Sequence, residues 1–171
     1  NDHINMSQSS NDSIPTAMHI ATVLSIKKKL LPEIVFFKKS LKKKISEFKG
    51  IIKIGRTHTQ DATPIKISNE FLAFYDQISY AENVIKKSLD KLYELAQGGT
   101  AVGSGVNAPK NFSKIFIKYL KKETGLPFKS APNKYESLAS HDVFIEVMSG
   151  VEILTSTLFK MANDIRVLAS G

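Results

Sequence analysis

Apolar residues recur at three- and four-residue intervals along most of the chain, which is the spacing of amphipathic α-helices. The pattern predicts a first helix from about residue 11 to Gly50 and a second helix over residues 68–96. A shorter helix is predicted over residues 111–122, and a last one over residues 135–169. The predicted fold class is therefore all-α, a bundle of long helices.

Turn-forming residues mark the predicted helix ends. Residues 11–13 carry capping side chains shortly before Pro15, which predicts a helix start with proline in the first turn. Pro32 should kink the first helix, because proline removes one backbone hydrogen bond. Gly125 is expected to end the short helix. The Gly-rich residues 98–105 predict a tight connection between helices.

The last helix is apolar nearly all round between Val143 and Leu168. Charged residues interrupt it too often for a membrane span. A chain of 171 residues can rarely bury helices this long and this apolar in its own core. The spare apolar surface therefore predicts association with other helices.

Composition changes this picture little. Its 171 residues are enough for one domain with a real core, and we expect residues 1–171 to form a single helical domain. The 42% hydrophobic and 23% charged residues are ordinary for a globular protein. The absence of cysteine excludes disulfides and thiolate metal sites. The chain starts without a signal-peptide pattern, and both ends fall in polar segments, so we expect a piece of a longer protein.

The net charge of +8 raises the possibility of an anionic partner, because most of the excess lies in residues 27–53. A basic helical module that binds nucleic acid or an acidic partner is one interpretation of this stretch. However, apolar residues interrupt the lysines at helical spacing, which favours the solvated face of an amphipathic helix. Lysine is used almost to the exclusion of arginine, which disfavours bidentate phosphate recognition. We expect no nucleic-acid and no membrane partner.

Two polar clusters stand out against the apolar helices. Residues 55–64 crowd a cation, a histidine, hydroxyls, an amide and a carboxylate into one connection, and residues 5–12 form a similar cluster before the first helix. Packing alone does not require such a density of hydrogen-bonding groups, whereas a small anionic substrate would use it. His58 is either structural or functional; its polar neighbours could fix its tautomer, and Arg56 could hold an anion or brace the loop.

Other chemistry receives little support. Residues 98–105 lack the Gly-Lys-Ser/Thr ending of a P-loop. The four histidines show no metal-ligand spacing, and a triad of Ser9 or Ser10 with His58 and Asp61 would lack a strand-borne nucleophile elbow. We therefore expect no cofactor and no metal.

Six stretches, in the same order and spread over the whole chain, resemble class II fumarases of the fumarase/aspartase superfamily. They are residues 1–5, residues 7–12 with 15–17, residues 55–64, residues 95–103, residues 131–134 and residues 162–166. In related aspartases glutamine typically stands where this chain has His58, so the resemblance favours a fumarase over an ammonia-lyase.

The resemblance implies a central helical domain that assembles into a tetrameric multi-helix core. It further implies an N-terminal domain and a serine-bearing loop with a Met-Pro-Gly-Lys-x-Asn signature, expected after Gly171. In this family three segments from three subunits build each active site, and this chain supplies only two of them. We therefore expect the isolated piece to be inactive.

The implied activity is that of a hydro-lyase: reversible anti hydration of fumarate to L-malate, a step of the tricarboxylic acid cycle. His58 would be the acid/base that handles water or the departing hydroxyl, and Thr57, Ser9, Ser10 and Asn11 would bind the substrate carboxylates. Asn1 and Asp2 match the family's second anion site. The implied location is the cytoplasm, or the mitochondrial matrix in a eukaryote. Another superfamily lyase, such as an aspartate ammonia-lyase, remains the closest alternative.

Overall fold

Seven α-helices carry most of the backbone between residues 2 and 170, the part of the chain that the computed structural model describes. The prediction of a helical fold is confirmed, with two small sheets in addition. The helices are α1 Asp2–Asn5, α2 Ser10–Ser25, α3 Leu31–Glu47, α4 Ile67–Leu92, α5 Phe112–Thr124, α6 Lys134–Ala139 and α7 Asp142–Leu168. The strands are β1 Ile52–Thr57, β2 Gln60–Lys66, β3 Glu94–Leu95 and β4 Lys129–Ser130.

The chain divides into two compact units. The first unit comprises the residues up to Lys27 together with Lys86–Met148. The second unit comprises Lys28–Ile85 together with the residues from Ser149 onward. Both α4 and α7 contribute residues to each unit. A single helical domain over residues 1–171 stays a prediction.

The core of the first unit forms around the short parallel pair of β3 and β4. Glu94 pairs with Lys129 and Leu95 with Ser130. Leu95 and Phe128 are fully buried there, and the Phe128 ring meets Tyr93 edge-on with centroids 5.5 Å apart. Burying such large apolar side chains is the main stabilising contribution in a core of this kind.

The second unit contains the central part of the long helices and the β1–β2 hairpin. The side chains of α3, α4 and α7 that recur at helical spacing are buried, as the periodicity predicts. They include Ile34, Leu41, Phe74, Ile78, Ile85, Leu154 and Met161. Phe71 meets both Phe48 and Phe74 edge-on, with ring centroids 5.2 and 5.8 Å apart.

The first predicted helix is divided in two. A π-helical turn, Ile26–Leu30, separates α2 from α3, and Pro32 lies at the start of α3. Proline has no N–H for the preceding turn, so the predicted irregularity occurs where the missing bond would have been. The helix begins earlier than predicted, because Ser9 rather than residues 11–13 is its N-cap. Pro15 consequently lies inside α2, beyond the first turn.

Two other predicted helix bounds are wrong, and long-range contacts explain the first. The helix predicted over residues 68–96 ends at Leu92, because the next residues pair with β4 instead of continuing the helix. The predicted last helix is broken at Ser140 and His141, between α6 and α7. There the Ser140 hydroxyl donates to Asp142 Oδ1 at 2.8 Å, a side-chain bond at the start of α7. The predicted stop at Gly125 is confirmed, with its N–H bonded to Lys121 O.

None of the helices within residues 2–170 combines the length and the apolar character that crossing a membrane requires. Instead, α7 keeps large apolar side chains at its surface in both units. Ile145 is 70% exposed and Phe159 is 72% exposed.

The burial of Ile78 predicts a strong dependence of stability on its side chain. Ile78→Ala should lower the free energy of unfolding by about 2–5 kcal/mol, because the truncation leaves a cavity in a packed core. Lys87→Ala, on the exposed side of the same helix, should change it by no more than about 0.5 kcal/mol. Urea denaturation followed by circular dichroism measures both, and equal midpoints for the two variants would contradict the assigned core.

Candidate active site

The first candidate cluster, named the serine cluster here, comprises Ser9, Ser10 and Asn11 at the N-terminus of α2. Ser9 is the N-cap: its Oγ accepts a hydrogen bond from the Asn11 N–H at 3.2 Å. Ser10 and Asn11 are exposed, and Ser9 is half-buried. Hydroxyls and an amide at the positive end of a helix dipole form a suitable environment for a carboxylate.

The Asp12 side chain fixes the start of α2 through hydrogen bonds. Its side chain is fully buried, and its Oδ1 accepts from the Ser9 N–H at 2.9 Å and from the Ser13 hydroxyl at 3.3 Å. Its Oδ2 accepts from the N–H groups of Gly98 and Thr100 at 2.9 and 2.8 Å. A buried carboxylate requires such donors, and these bonds attach the Gly-rich loop to the start of α2.

The Gly-rich loop in turn positions Asn11. The Asn11 Nδ2 donates to Ala101 O at 2.8 Å, which fixes the amide plane at the edge of the serine cluster. The loop can lie this close to α6 because residue 103 is glycine: its φ is +102°, and a Cβ there would come within 2.7 Å of Tyr135 N. The predicted tight connection is therefore also a support for the serine cluster.

The second candidate cluster is the tip of the β1–β2 hairpin, where the sequence had predicted a connection without strands. The antiparallel pairing runs from Ile52 with Lys66 to Thr57 with Gln60, leaving His58 and Thr59 as a two-residue turn. We call Thr57, His58, Thr59 and Gln60 the histidine turn. All of its side chains are exposed.

Both central residues of the histidine turn adopt the left-handed conformation. The φ angles are +52° at His58 and +62° at Thr59, the geometry of a hairpin turn that normally uses Asn-Gly. A β-branched threonine disfavours this region, so Thr59 stores backbone strain in the turn. Strain of this kind is concentrated at functional sites, where the surrounding structure enforces it.

The strands below the turn supply that enforcement. Arg56 pairs with Asp61 across the hairpin, and its Nε lies 3.4 Å from Asp61 Oδ1. A register shift between Ile54 and Arg56 is accommodated at Gly55, where a Cβ would meet Thr63 O at 2.8 Å. Arg56 thus braces the hairpin, one of the two roles considered for it from the sequence.

The structure groups the candidate residues by unit. Ser9, Ser10 and Asn11 lie together in the first unit, whereas Thr57 and His58 lie together in the second. Asp2 begins α1 and is exposed. Asn1, the other residue of the predicted second anion site, lies outside the described residues.

His19 differs from His58 in its surroundings. His19 is buried, its Nδ1 lies 3.1 Å from Leu92 O, and its ring meets Phe144 edge-on. Burial lowers the pKa of His19, which favours the neutral ring and a structural role. Within residues 2–170, no three His, Asp or Glu side chains are grouped as a metal site would need.

The basic stretch at residues 27–53 uses several lysines in ion pairs. Lys38 Nζ lies 2.8 Å from Glu82 Oε2, and Lys53 Nζ lies 2.9 Å from Glu70 Oε1. Lys42 lies over the Tyr75 ring at 5.2 Å. These contacts agree with a helix face that is packed on one side and solvated on the other.

Asp12 and the loop carbonyl of Ala101 are the supporting groups that sequence reasoning missed. Asp12 was read only as part of a helix cap, although an acid three residues after a serine is the signature of a capping box. Nothing in the spacing indicated that its second oxygen binds the loop at residues 98–100.

Comparison with known proteins shows which families this chain is similar to. A family model described as lyase matches residues 1–171. The chain is 52% identical to the mitochondrial fumarate hydratase of Dictyostelium discoideum, over all of this chain and 35% of that protein. It is likewise 52% identical to the class II fumarate hydratase of Brucella suis biovar 1 (strain 1330), over all of this chain and 37% of that protein.

Solved structures are similar to this chain as well. A recombinant class II fumarase from Schistosoma mansoni superimposes with a TM-score of 0.97 at 36% identity, covering 100% of this chain and 39% of that one. The resemblance drawn from the sequence motifs is thereby confirmed. The chain spans little more than a third of the length of the relatives it matches.

The buried carboxylate predicts that Asp12→Asn destabilises the protein. The amide keeps the shape but loses the charge and turns an NH₂ toward backbone donors, so the free energy of unfolding should fall by about 2–4 kcal/mol. Hydrogen exchange should accelerate at the Gly98 and Thr100 amides. Asp61→Asn, at an exposed carboxylate, is the matched control and should cost less than about 1 kcal/mol. Unchanged exchange at Gly98 and Thr100 would contradict the role of Asp12.

Proposed function

Because this chain belongs to the lyase family, we propose that the complete protein is a fumarate hydratase, a hydro-lyase that interconverts fumarate and L-malate. The observation that carries the proposal is the histidine turn: an imidazole is held at an exposed, strained hairpin tip in a chain that resembles class II fumarases. Its substrate is then a small dicarboxylate.

His58 is proposed as the group that handles the water molecule. In the dehydration direction a base removes a proton from C3 of malate, and the adjacent carboxylate takes up the electron pair. The C2–O bond then breaks, and His58 gives a proton to the departing hydroxyl, which leaves as water. Imidazole suits this exchange because its ordinary pKa lies close to neutral pH.

The serine cluster and Thr57 are proposed to bind the two carboxylates. Hydroxyl and amide donors fixed at the end of α2 stabilise the charge that gathers on the carboxylate beside C3. Asp12 and the Gly-rich loop hold these donors before substrate arrives, so little reorganisation is needed during the reaction.

The base that removes the C3 proton belongs to another segment. These 171 residues contain no Met-Pro-Gly-Lys-x-Asn stretch, the signature of the family's serine loop. A complete site therefore needs that segment as well as the serine cluster and the histidine turn. Asn1 and Asp2 are proposed to contribute to a second anion site.

We propose that the protein assembles as a homotetramer in which different copies contribute these segments to each active site. The exposed apolar residues of α7 in each unit support this, since isolated chains seldom leave Ile145 and Phe159 so open to water. In the assembly, the serine cluster of one copy meets the histidine turn of another. We propose a location in the cytoplasm, or in the mitochondrial matrix if the source is eukaryotic.

His58→Asn tests the catalytic assignment in the complete protein. Asparagine tolerates a positive φ, so the turn should persist while proton transfer is lost. Malate dehydration, followed by the ultraviolet absorbance of fumarate, should slow by about 100-fold to 10,000-fold. His141→Asn, at another exposed histidine, is the matched control and should keep full turnover.

Measurements of the oligomeric state and of substrate preference complete this test. Size-exclusion chromatography should show the same oligomer for wild type and His58→Asn. Full dehydration activity in the variant would remove His58 from the mechanism. Faster deamination of aspartate than dehydration of malate by the wild type would assign the protein to the ammonia-lyases instead.

The 171-residue chain by itself is expected to be inactive, because the segment with the base is absent from it. The same fumarate assay checks this, with the complete protein as the positive control. Turnover by the isolated chain above the uncatalysed rate would mean that the reaction needs no third segment.

A further inference from the structure

Lys134 lies in an unusual environment at the start of α6. Its Nζ donates a hydrogen bond to Ser130 Oγ at 2.5 Å. Ser130 Oγ lies 3.0 Å from Ser113 Oγ, so one amine and two hydroxyls form a short chain between α6, β4 and α5. The lysine side chain is half-buried in this position.

No carboxylate pairs with this lysine in the part of the chain that the structure describes. Other partly buried lysines do have acidic partners. Lys38 is 18% exposed and bonds to Glu82, and Lys53 is 22% exposed and bonds to Glu70. Burying the charged form of Lys134 therefore costs free energy that no opposite charge offsets.

Burial lowers the pKa of Lys134, because desolvation disfavours its charged form. A larger fraction of the side chain is then a free amine at neutral pH, and the free amine is the nucleophilic form of lysine. Among the lysines of residues 2–170 for which a pKa shift is resolved, Lys91 shows the opposite direction because of its bond to Glu94.

We propose that Lys134 is an acylation site that reacts with activated acyl groups of the thioester class. The Nζ lone pair attacks the acyl carbon, and a tetrahedral intermediate forms. The carbon–sulfur bond then breaks, an amide remains on Nζ, and the thiolate leaves with the proton that the amine gives up. No oxidant or further co-reactant is needed.

Acylation of Lys134 would disturb few of its interactions. Acylation removes a charge that burial disfavours and breaks no ion pair. The amide retains one N–H that can still donate to Ser130 Oγ. At Lys38 or Lys53, by contrast, the same modification would break an ion pair with a glutamate.

The site also adjoins the support of the serine cluster. A Cβ on Gly103 would lie 3.0 Å from the carbonyl carbon of Lys134, so the α6 start touches the Gly-rich loop that bonds Asn11. The acylation itself does not depend on the proposed hydratase activity and is tested without it.

The test treats the complete protein with an acetyl thioester of N-acetylcysteamine and maps acetyl-lysine by mass spectrometry over time. At pH 8, Lys134 should acylate at least about threefold faster than Lys129, which is 57% exposed and bonds to Glu94. Its rate should reach half-maximum at a pH below that of ordinary lysines. A Lys134 rate equal to or below that of Lys129 would overturn the proposal.

Two variants of Ser130 provide a matched pair. Ser130→Asp places a carboxylate where the hydroxyl was, so it should favour the ammonium and slow acylation of Lys134 by about threefold or more. Ser130→Ala removes the hydroxyl without adding charge and should not slow it. Equal rates in Ser130→Asp and wild type would refute the mechanism. If circular dichroism shows that Ser130→Asp does not fold, the wild-type comparison of Lys134 with Lys129 decides alone.

Discussion

The buried carboxylate of Asp12 is the constraint on which the first unit depends. It is fully buried, and its oxygens are bonded to the start of α2 on one side and to Gly98 and Thr100 on the other. Because a buried charge without donors costs several kcal/mol, neither segment can move alone. The positions of the Gly-rich loop and of the helix start therefore depend on each other. The Asn11 amide is fixed between them by its bond to Ala101 O.

The second unit achieves the same result by a different physical route. The histidine turn is held by the hydrogen-bonded ladder of β1 and β2. Its strained backbone angles show that the surrounding structure enforces the geometry, whereas in the first unit a buried charge does so. In both clusters, mostly exposed polar groups are held by ordered backbone. The proposed dicarboxylate site would use such preorganisation, because the donors then face the developing charge before the reaction begins.

Hydrophobic periodicity predicted the helices well, since their apolar stripes face cores within each unit. It failed where non-local pairing competes with local preference. Leu95 fits a helix by its spacing, yet it pairs with Ser130 in a parallel ladder. Residues 52–66 form a hairpin although the turn lacks the usual Asn-Gly pair, so no strong local signal marked the turn.

The sequence by itself determined the helical class, the stop at Gly125 and the identity of the motifs, because these depend on residue type and short spacing. Tertiary structure alone decided which groups support them. Asp12 and Gly98 are separated by 86 positions, and Ser130 on β4 bonds both Lys134 of α6 and Ser113 of α5. Hydrogen bonds between distant segments leave no periodic trace in a sequence, so their partners emerge only when the chain is folded.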